Sequence, residues 1–235
     1  MIKVAEYVKS IFIDQDDLLK SMSTNDLLLA VRSSSSQEDL PNQAGAGLYD
    51  SILDVKANDT QAIIKAITDV WLSLFTKRAV ISRKQLKGAK VPLMAVLIQE
   101  QIRSEYSFIL HSKDPFSDSE EQVYAEIAVG LGETLASGNQ QGSPYRLTSD
   151  SKVCEIKSFA NYSEAVIPDG TCRIDYSTIK LTLEPESLIE LGVRFGKVAK
   201  KIESAYENTP QDIEGALVTD GSCFKVYIVQ SRTQI

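Results

Sequence analysis

Gln211-Asp212-Ile213-Glu214-Gly215-Ala216-Leu217-Val218, then Thr219-Asp220-Gly221-Ser222, then Phe224-Lys225-Val226-Tyr227-Ile228-Val229-Gln230-Ser231-Arg232 stand near the end of a 235-residue chain. Two β-rich runs, Asp212 to Val218 and Phe224 to Arg232, flank a glycine-containing turn, so the stretch reads as an antiparallel hairpin. Residues two apart in a strand share a face. Asp212 and Glu214 therefore share one face, and Gln230 and Arg232 share one face of the partner strand. Pairing gathers two carboxylates, an amide oxygen and a guanidinium on one surface. Oxygen donors of this kind suit Mg²⁺, which takes one or two carboxylates and completes its shell with water and phosphates. The arginine can neutralise charge on a phosphoryl group. The same spacing also describes an exposed hairpin with a surface ion pair worth under about 1 kcal/mol. A polar quartet beside the apolar alternation Val226, Ile228 fits either reading, and spacing leaves both open.

Working back from the hairpin, Pro185 to Tyr206 carries Leu188, Leu191, Phe195, Val198 and Ile202 at helical spacing, with Pro185 suited to a first turn. Val91 to Ile102, Glu105 to Ser112 and Gln122 to Val129 read as strands, and 113–118 as a turn. Residues 150–184 read as short strands and turns. Ile63, Ile64, Ile67, Val70, Trp71, Leu74 and Phe75 form one stripe, predicting a core helix over 61–84 with a basic end at Lys77, Arg78, Arg83 and Lys84. The run from Gly130 to Gly138 reads as a glycine-punctuated loop, with no βαβ unit to make it a dinucleotide fingerprint. The expected class is α+β, with a largely antiparallel sheet and packed helices.

A net charge of −7 argues against a general binder of nucleic acid or anionic membrane, and leaves room for a nucleotide site built on local cations. Cys154, Cys172 and Cys223 lack metal-ligand spacing and read as reduced thiols of an intracellular protein. No apolar run approaches a bilayer span, and 1–7 has no signal or transit character. His111, the sole histidine, reads as an ordinary strand-end residue.

A second place offers chemistry like the hairpin's. Ala30-Val31-Arg32-Ser33-Ser34-Ser35-Ser36 supplies a cation and hydroxyls, and Ala44-Gly45-Ala46-Gly47-Leu48-Tyr49-Asp50-Ser51 supplies approachable backbone N–H groups. An anionic, oxygen-rich partner such as a polyphosphate suits both. Within these blocks Ala30-Val31-Arg32-Ser33-Ser34 and Ala46-Gly47, together with Glu38-Asp39-Leu40-Pro41, Val70-Trp71-Leu72-Ser73-Leu74-Phe75, Gly130-Leu131-Gly132-Glu133, Gln211-Asp212-Ile213-Glu214 and Tyr227-Ile228-Val229-Gln230-Ser231-Arg232, resemble the nucleotide-binding domain of the pyruvate, phosphate dikinase and phosphoenolpyruvate synthase superfamily. They keep that family's order from about residue 27 to the last residue. Gly45 to Ile52, Met94 to Glu100, Gly132 to Gly138, Ser143 to Leu147 and Ser158 to Tyr162 are similar to its glucan, water dikinase branch, and to phosphoglucan, water dikinase in particular.

The resemblance implies an ATP-grasp-like domain that uses ATP and Mg²⁺. Arg32 would contact the ATP phosphates, and the loop with Gly45, Gly47, Leu48 and Ser51 would cover them. Gln99, Glu100 and Ile102 would hold adenine. Glu214 and Gln230 would hold Mg²⁺ with Asp212 in support, and Arg232 would bind the transferred phosphates. A phosphohistidine on another domain would carry the β-phosphate to an α-glucan. The alternatives are a pyruvate-using dikinase or phosphoenolpyruvate synthase domain, and a nucleotide-binding module without turnover. Nothing before Asp26 resembles the family's lysine-bearing lobe. Residues 1–25 are therefore expected to be a lead-in and 26–235 the C-terminal part of the ATP-binding domain, truncated from a larger polypeptide. By itself the chain would bind Mg·ATP weakly and turn nothing over. Cytoplasm and plastid both stay open.

Overall fold

The computed structural model describes residues 27–36, 39–40, 43–44, 47–85, 92–119, 121–136, 141–168, 170–221 and 223–234. The expected lead-in at 1–25, Gly45, and Ser137 and Gly138 of the glycine loop lie outside the described residues. The chain divides into two compact units, one ending at Ile102 and the other starting at Arg103.

The first unit runs through β1 (Leu28–Ser35), a short antiparallel pair of β2 (Asp39–Leu40) and β3 (Gln43–Ala44), then β4 (Ile52–Lys56). Helices α1 (Thr60–Leu72) and α2 (Lys77–Gln85) follow, then β5 (Met94–Glu100). Strand β1 lies between β4 and β5 and is antiparallel to both. Asp59 starts α1 by accepting from the backbone N–H groups of Gln61 and Ala62 at 3.0 Å, which satisfies donors that a helix start leaves open. Ile63, Ala66, Ile67 and Val70 of α1 then close on Leu29, Val31 and Val55 of the sheet.

The single helix expected over 61–84 is in fact broken. A 3₁₀ turn at Ser73–Phe75, with the Ser73 hydroxyl donating to the Val70 carbonyl at 2.6 Å, and extended backbone at Thr76 interrupt it. The buried stripe keeps Ile63, Ile67, Val70 and Leu74, but Trp71 and Phe75 are 44% and 63% exposed. A 3.6-residue period drawn through the break assigned Phe75 to the wrong side, whereas Trp71, still within α1, sits at the edge of the buried stripe of Ile63, Ala66, Ile67 and Val70.

The second unit contains β6 (Tyr106–His111), β7 (Val123–Val129), α3 (Glu133–Ala136), β8 (Tyr145–Ser149), β9 (Cys154–Ser158), β10 (Glu164–Ile167) and β11 (Gly170–Arg173). Helices α4 (Lys180–Leu183) and α5 (Pro185–Ala205) come next, and the unit finishes with β12 (Gln211–Asp220) and β13 (Cys223–Thr233). Six strands form one sheet in the order β13-β12-β6-β7-β8-β9, and every neighbour pair is antiparallel. The expectation of a mixed α and β chain with a largely antiparallel sheet holds. The glycine-punctuated stretch is not all loop. Glu133–Ala136 makes a helical turn, and Thr134 Oγ1 accepts from the Val166 backbone N–H at 2.9 Å, docking the segment on β10.

Helix α5 lies on one face of the sheet. Leu188, Leu191, Phe195 and Ala199 meet Phe108, Leu110, Ile127, Tyr145, Leu147, Ile213 and Leu217, and the Phe108 and Phe195 rings sit 4.6 Å apart. Each large apolar side chain buried there contributes about 1.5–3 kcal/mol. The helix comes so close to β9 that a Cβ on Gly192 would overlap the Cys154 sulfur.

That packing sets the chemistry of the thiol. Burial first, then the charge of Glu155, pushes Cys154 up to about 11. The neutral thiol is the form that folding favours. Its contribution to stability is full below the unfolded thiol's pKa, about 8.5, and is lost as pH climbs toward 11. At pH 8 a thiol reagent is expected to modify exposed Cys223 in the native protein and to reach Cys154 only on unfolding. Mass-spectrometric mapping checks this, and rapid native labelling of Cys154 would contradict it.

Candidate functional site

The terminal hairpin pairs Asp212 with Arg232 and Glu214 with Gln230, residue opposite residue. Uniform alternation does not deliver this arrangement. Val226, Ile228, Gln230 and Arg232 have the same parity, so an unbroken strand would put all four on one face. Val226 packs against the core under α5, where a guanidinium would be desolvated without partners. The strand solves the conflict with a bulge. Glu214 pairs with Gln230 but the next residue, Gly215, pairs with Ile228, which leaves Val229 as the extra residue. The bulge reverses the alternation, as bulges beside sites commonly do. Gln230 and Arg232 thereby face away from α5, together with Asp212 and Glu214. Gly215 permits it, because a Cβ there would overlap the Phe108 ring and the Tyr227 carbonyl.

Asp212 Oδ2 accepts from Arg232 Nε at 2.9 Å and from Nη2 at 2.6 Å. The two side chains are only 13% and 24% exposed, so this is no solvated surface pair. On the other side of β12, His111 sits directly opposite Asp212. Its Nδ1 lies 3.7 Å from Asp212 Oδ1. Both atoms are buried and neither has a hydrogen-bond partner.

The polar face continues across the sheet. Tyr124 is opposite His111, and Glu126 opposite Ile109. The Tyr124 hydroxyl donates to Glu126 Oε1 at 2.7 Å, and Arg146 Nε donates to the same oxygen at 3.0 Å. Burial, then the hydrogen bond to Glu126, holds the Tyr124 hydroxyl above the ordinary phenol range. Beside it opens a cavity of about 550 Å³ lined by Tyr124, Glu126, Arg146, Thr148 and Lys157, with Asp114, Phe116, Ser117 and Gln122.

In the first unit, Arg32 is opposite Leu97 and Ala30 opposite Gln99. Arg32 and Gln99 therefore share the sheet face turned away from α1, whose own side is taken by Leu29 and Val31. Glu100, opposite Leu29, has the other parity at the strand end. Gly47 adopts a left-handed φ of 68°. The loop after it is anchored: Tyr49 is buried with Leu74 and Ala79, while Arg78 donates to the Leu48 carbonyl at 3.2 Å and to Asp50 at 2.9 Å. Ser51 is exposed and Ile102 half-buried. Between Glu100 and Ile102, Gln101 is 7% exposed. It accepts from the Asp54 backbone N–H at 2.6 Å and donates to the Asp54 carboxylate at 2.8 Å, where Asp54 has a φ of 57°.

The structure thus brings Asp212, Glu214, Gln230 and Arg232 together, and separately groups Arg32 with Gln99. The reading of His111 as a strand-end residue holds, since it closes β6; its place opposite Asp212, the contact of Gln101 with Asp54 and the anchoring by Arg78 were not read from the sequence. Strand parity within Tyr106 to His111 was a usable signal for His111, but the neighbour of that strand was not. Glu214 and Gln230, side by side, offer the hard oxygen donors that Mg²⁺ takes. Among the described residues no cluster of three or more His, Cys, Asp and Glu gathers. Water and phosphate would therefore complete such a shell. No described helix is long and apolar enough to cross a membrane.

Comparison with known proteins gives a consistent result. The family described as pyruvate phosphate dikinase, AMP/ATP-binding domain, matches residues 3–235. The rifampicin phosphotransferase of Bacillus cereus is 35% identical over 209 residues, 86% of this chain and 23% of the relative. The corresponding Bacillus subtilis protein is 34% identical over 210 residues, covering 86% and 23%. The phosphoenolpyruvate synthase of Pyrococcus furiosus is 30% identical over 244 residues, 98% of this chain and 28% of the relative. The chain spans about a quarter of the length of these relatives. They come from bacteria and an archaeon and carry no glucan-directed name, so the closer resemblance to glucan, water dikinases and the plastid option are left without support.

Proposed function

The chain belongs to the pyruvate phosphate dikinase AMP/ATP-binding domain family, and on that premise we propose that it binds Mg·ATP through the hairpin face in an ATP-grasp-like site and donates a phosphoryl group to a histidine outside it. The observation that supports this best is the bulge that turns Gln230 and Arg232 toward Asp212 and Glu214. Arg232, oriented by Asp212, binds the phosphates being transferred and offsets charge that grows on them. Glu214 and Gln230 would hold Mg²⁺, which when bound supplies further charge neutralisation at phosphate oxygens. Taken by itself, the first unit offers Arg32 as a proposed phosphate contact, the Gly47–Ser51 loop as a proposed source of N–H groups, and Gln99, Glu100 and Ile102 as proposed adenine contacts. Catalysis by such a face is positioning and electrostatics.

For the acceptor, the relatives favour pyruvate-type or rifampicin-type chemistry over the α-glucan expected from the sequence. Feeding β- and γ-labelled ATP to the whole protein with pyruvate, rifampicin or α-glucan separates the three, and label reaching α-glucan alone would reverse this preference. Glu214→Ala is expected to weaken Mg·ATP binding by about tenfold or more, and to leave metal-free ATP binding nearly unchanged. Calorimetry with and without Mg²⁺ reads the difference. Equal losses in both would remove the metal role.

A further inference from the structure

His111 and Asp212 present an unusual pair of orphans. Asp212 uses one carboxylate oxygen, Oδ2, for both nitrogens of Arg232. Its other oxygen is buried and unpartnered, and so is His111 Nδ1, 3.7 Å away. A buried polar atom without a partner carries a desolvation cost that native structures rarely leave standing. Here two such atoms of complementary chemistry, an imidazole N–H and a carboxylate oxygen, face each other across adjacent strands. A small rotation of either side chain closes the gap to the hydrogen-bonding range of about 2.7–3.2 Å.

The surroundings hold the imidazole in place for that contact. On β7 the Tyr124 ring stacks on it with centroids 6.0 Å apart and planes at 28°, and the Phe116 ring backs Tyr124 edge-on at 5.2 Å. The charged groups on the β12 and β13 side are Asp212 and, through it, Arg232. Tyr124, the titratable group on the β7 side, has its hydroxyl committed to Glu126.

We propose that His111 is a positioning residue of the phosphate-binding face, its Nδ1–H donating to Asp212 Oδ1 and so fixing the carboxylate that orients Arg232. The neutral ring in its Nδ1–H form is sufficient. A hydrogen bond at one ring nitrogen sets which tautomer an imidazole adopts, so the contact selects the less common form. The functional part of this inference rests on the proposed role of Arg232 in binding phosphate.

The test exploits the presence of a single histidine in the chain. Long-range ¹H–¹⁵N spectra at alkaline pH contain one imidazole, expected as the Nδ1–H tautomer in the unliganded chain. An Nε2–H tautomer would overturn the proposal. Mg·ATP titrations of four proteins give the functional half. His111→Ala is expected to weaken binding by about five- to tenfold. His111→Asn is expected to recover most of it, since the Asn amide N–H reaches the place of Nδ1–H, whereas a role in packing alone would not be rescued by that swap. Arg232→Ala serves as the comparator. If Arg232→Ala loses binding but His111→Ala binds like wild type, the relay is wrong and the role of Arg232 stands. If Arg232→Ala itself binds like wild type, the reading of Arg232 is overturned and the relay goes with it.

Discussion

Replacing Arg232 with alanine is expected to lower phosphoryl transfer from ATP in the whole protein by about 10²–10³-fold, the effect of removing one preorganised charge-stabilising donor from a phosphate or oxyanion site. The second unit is expected to stay folded, because its core lies under α5 on the opposite face of the sheet. Some stability is lost all the same. Asp212, only 13% exposed, gives up both hydrogen bonds that its Oδ2 accepts from Arg232, and an unsatisfied buried acceptor costs about 1–3 kcal/mol. Arg232→Lys separates charge from geometry. A lysine keeps the positive charge but cannot present Nε and Nη2 together to Asp212 Oδ2, so it should recover little. Rapid-quench measurement of the phosphoenzyme with labelled ATP, alongside circular dichroism, reads both effects. Normal phosphoenzyme formation by the alanine variant would refute the role.

Gly215→Val is the second large expectation, and it bears on the fold and the site together. A Cβ at 215 overlaps the Phe108 ring and the Tyr227 carbonyl, so the side chain cannot enter unless the strand moves. Overpacking alone costs about 1–3 kcal/mol. The larger consequence is to the bulge. If β13 relaxes into unbroken pairing with β12, the change of parity at Val229 disappears, and Gln230 and Arg232 turn toward the core face. Expected together are a clear drop in melting temperature and loss of Mg·ATP binding beyond what the drop explains. A control such as Leu188→Ala, a core deletion costing about 2–5 kcal/mol, matches the instability without moving the hairpin and should retain binding at low temperature. Equal binding by the two variants would show that the bulge does not direct the site.

The hairpin shows how far the sequence could be read. Its two strands, its turn, and the grouping of Asp212 with Glu214 and of Gln230 with Arg232 were all legible, because hairpin pairing is local and period-2 alternation is strong. Which face Gln230 and Arg232 take was not legible. It depends on the bulge, and the bulge depends on Gly215 lying against Phe108, a residue more than a hundred positions away. His111 was legible as the end of its strand, but its place opposite Asp212 was not, because the pairing of β6 with β12 was not visible. Trp71 and Phe75 failed differently. The 3₁₀ turn at Ser73–Phe75 takes Phe75 out of the stripe, while Trp71, inside α1, lies at the stripe's edge, one residue and about 100° on from Val70. Family motifs identified the superfamily and its AMP/ATP-binding domain. The branch assigned from them, and the α-glucan acceptor with it, found no support among the relatives.

The most direct measurement is a Mg·ATP titration of the ¹⁵N-labelled chain, carried to millimolar nucleotide so that weak binding still registers. The account predicts saturable shifts at the backbone amides of Asp212, Glu214, Gln230 and Ser231 and at the Arg232 Nε, with matching ³¹P shifts of the nucleotide. It also predicts that these shifts vanish in Arg232→Ala. Saturable binding that leaves the hairpin resonances unmoved would contradict the central claim.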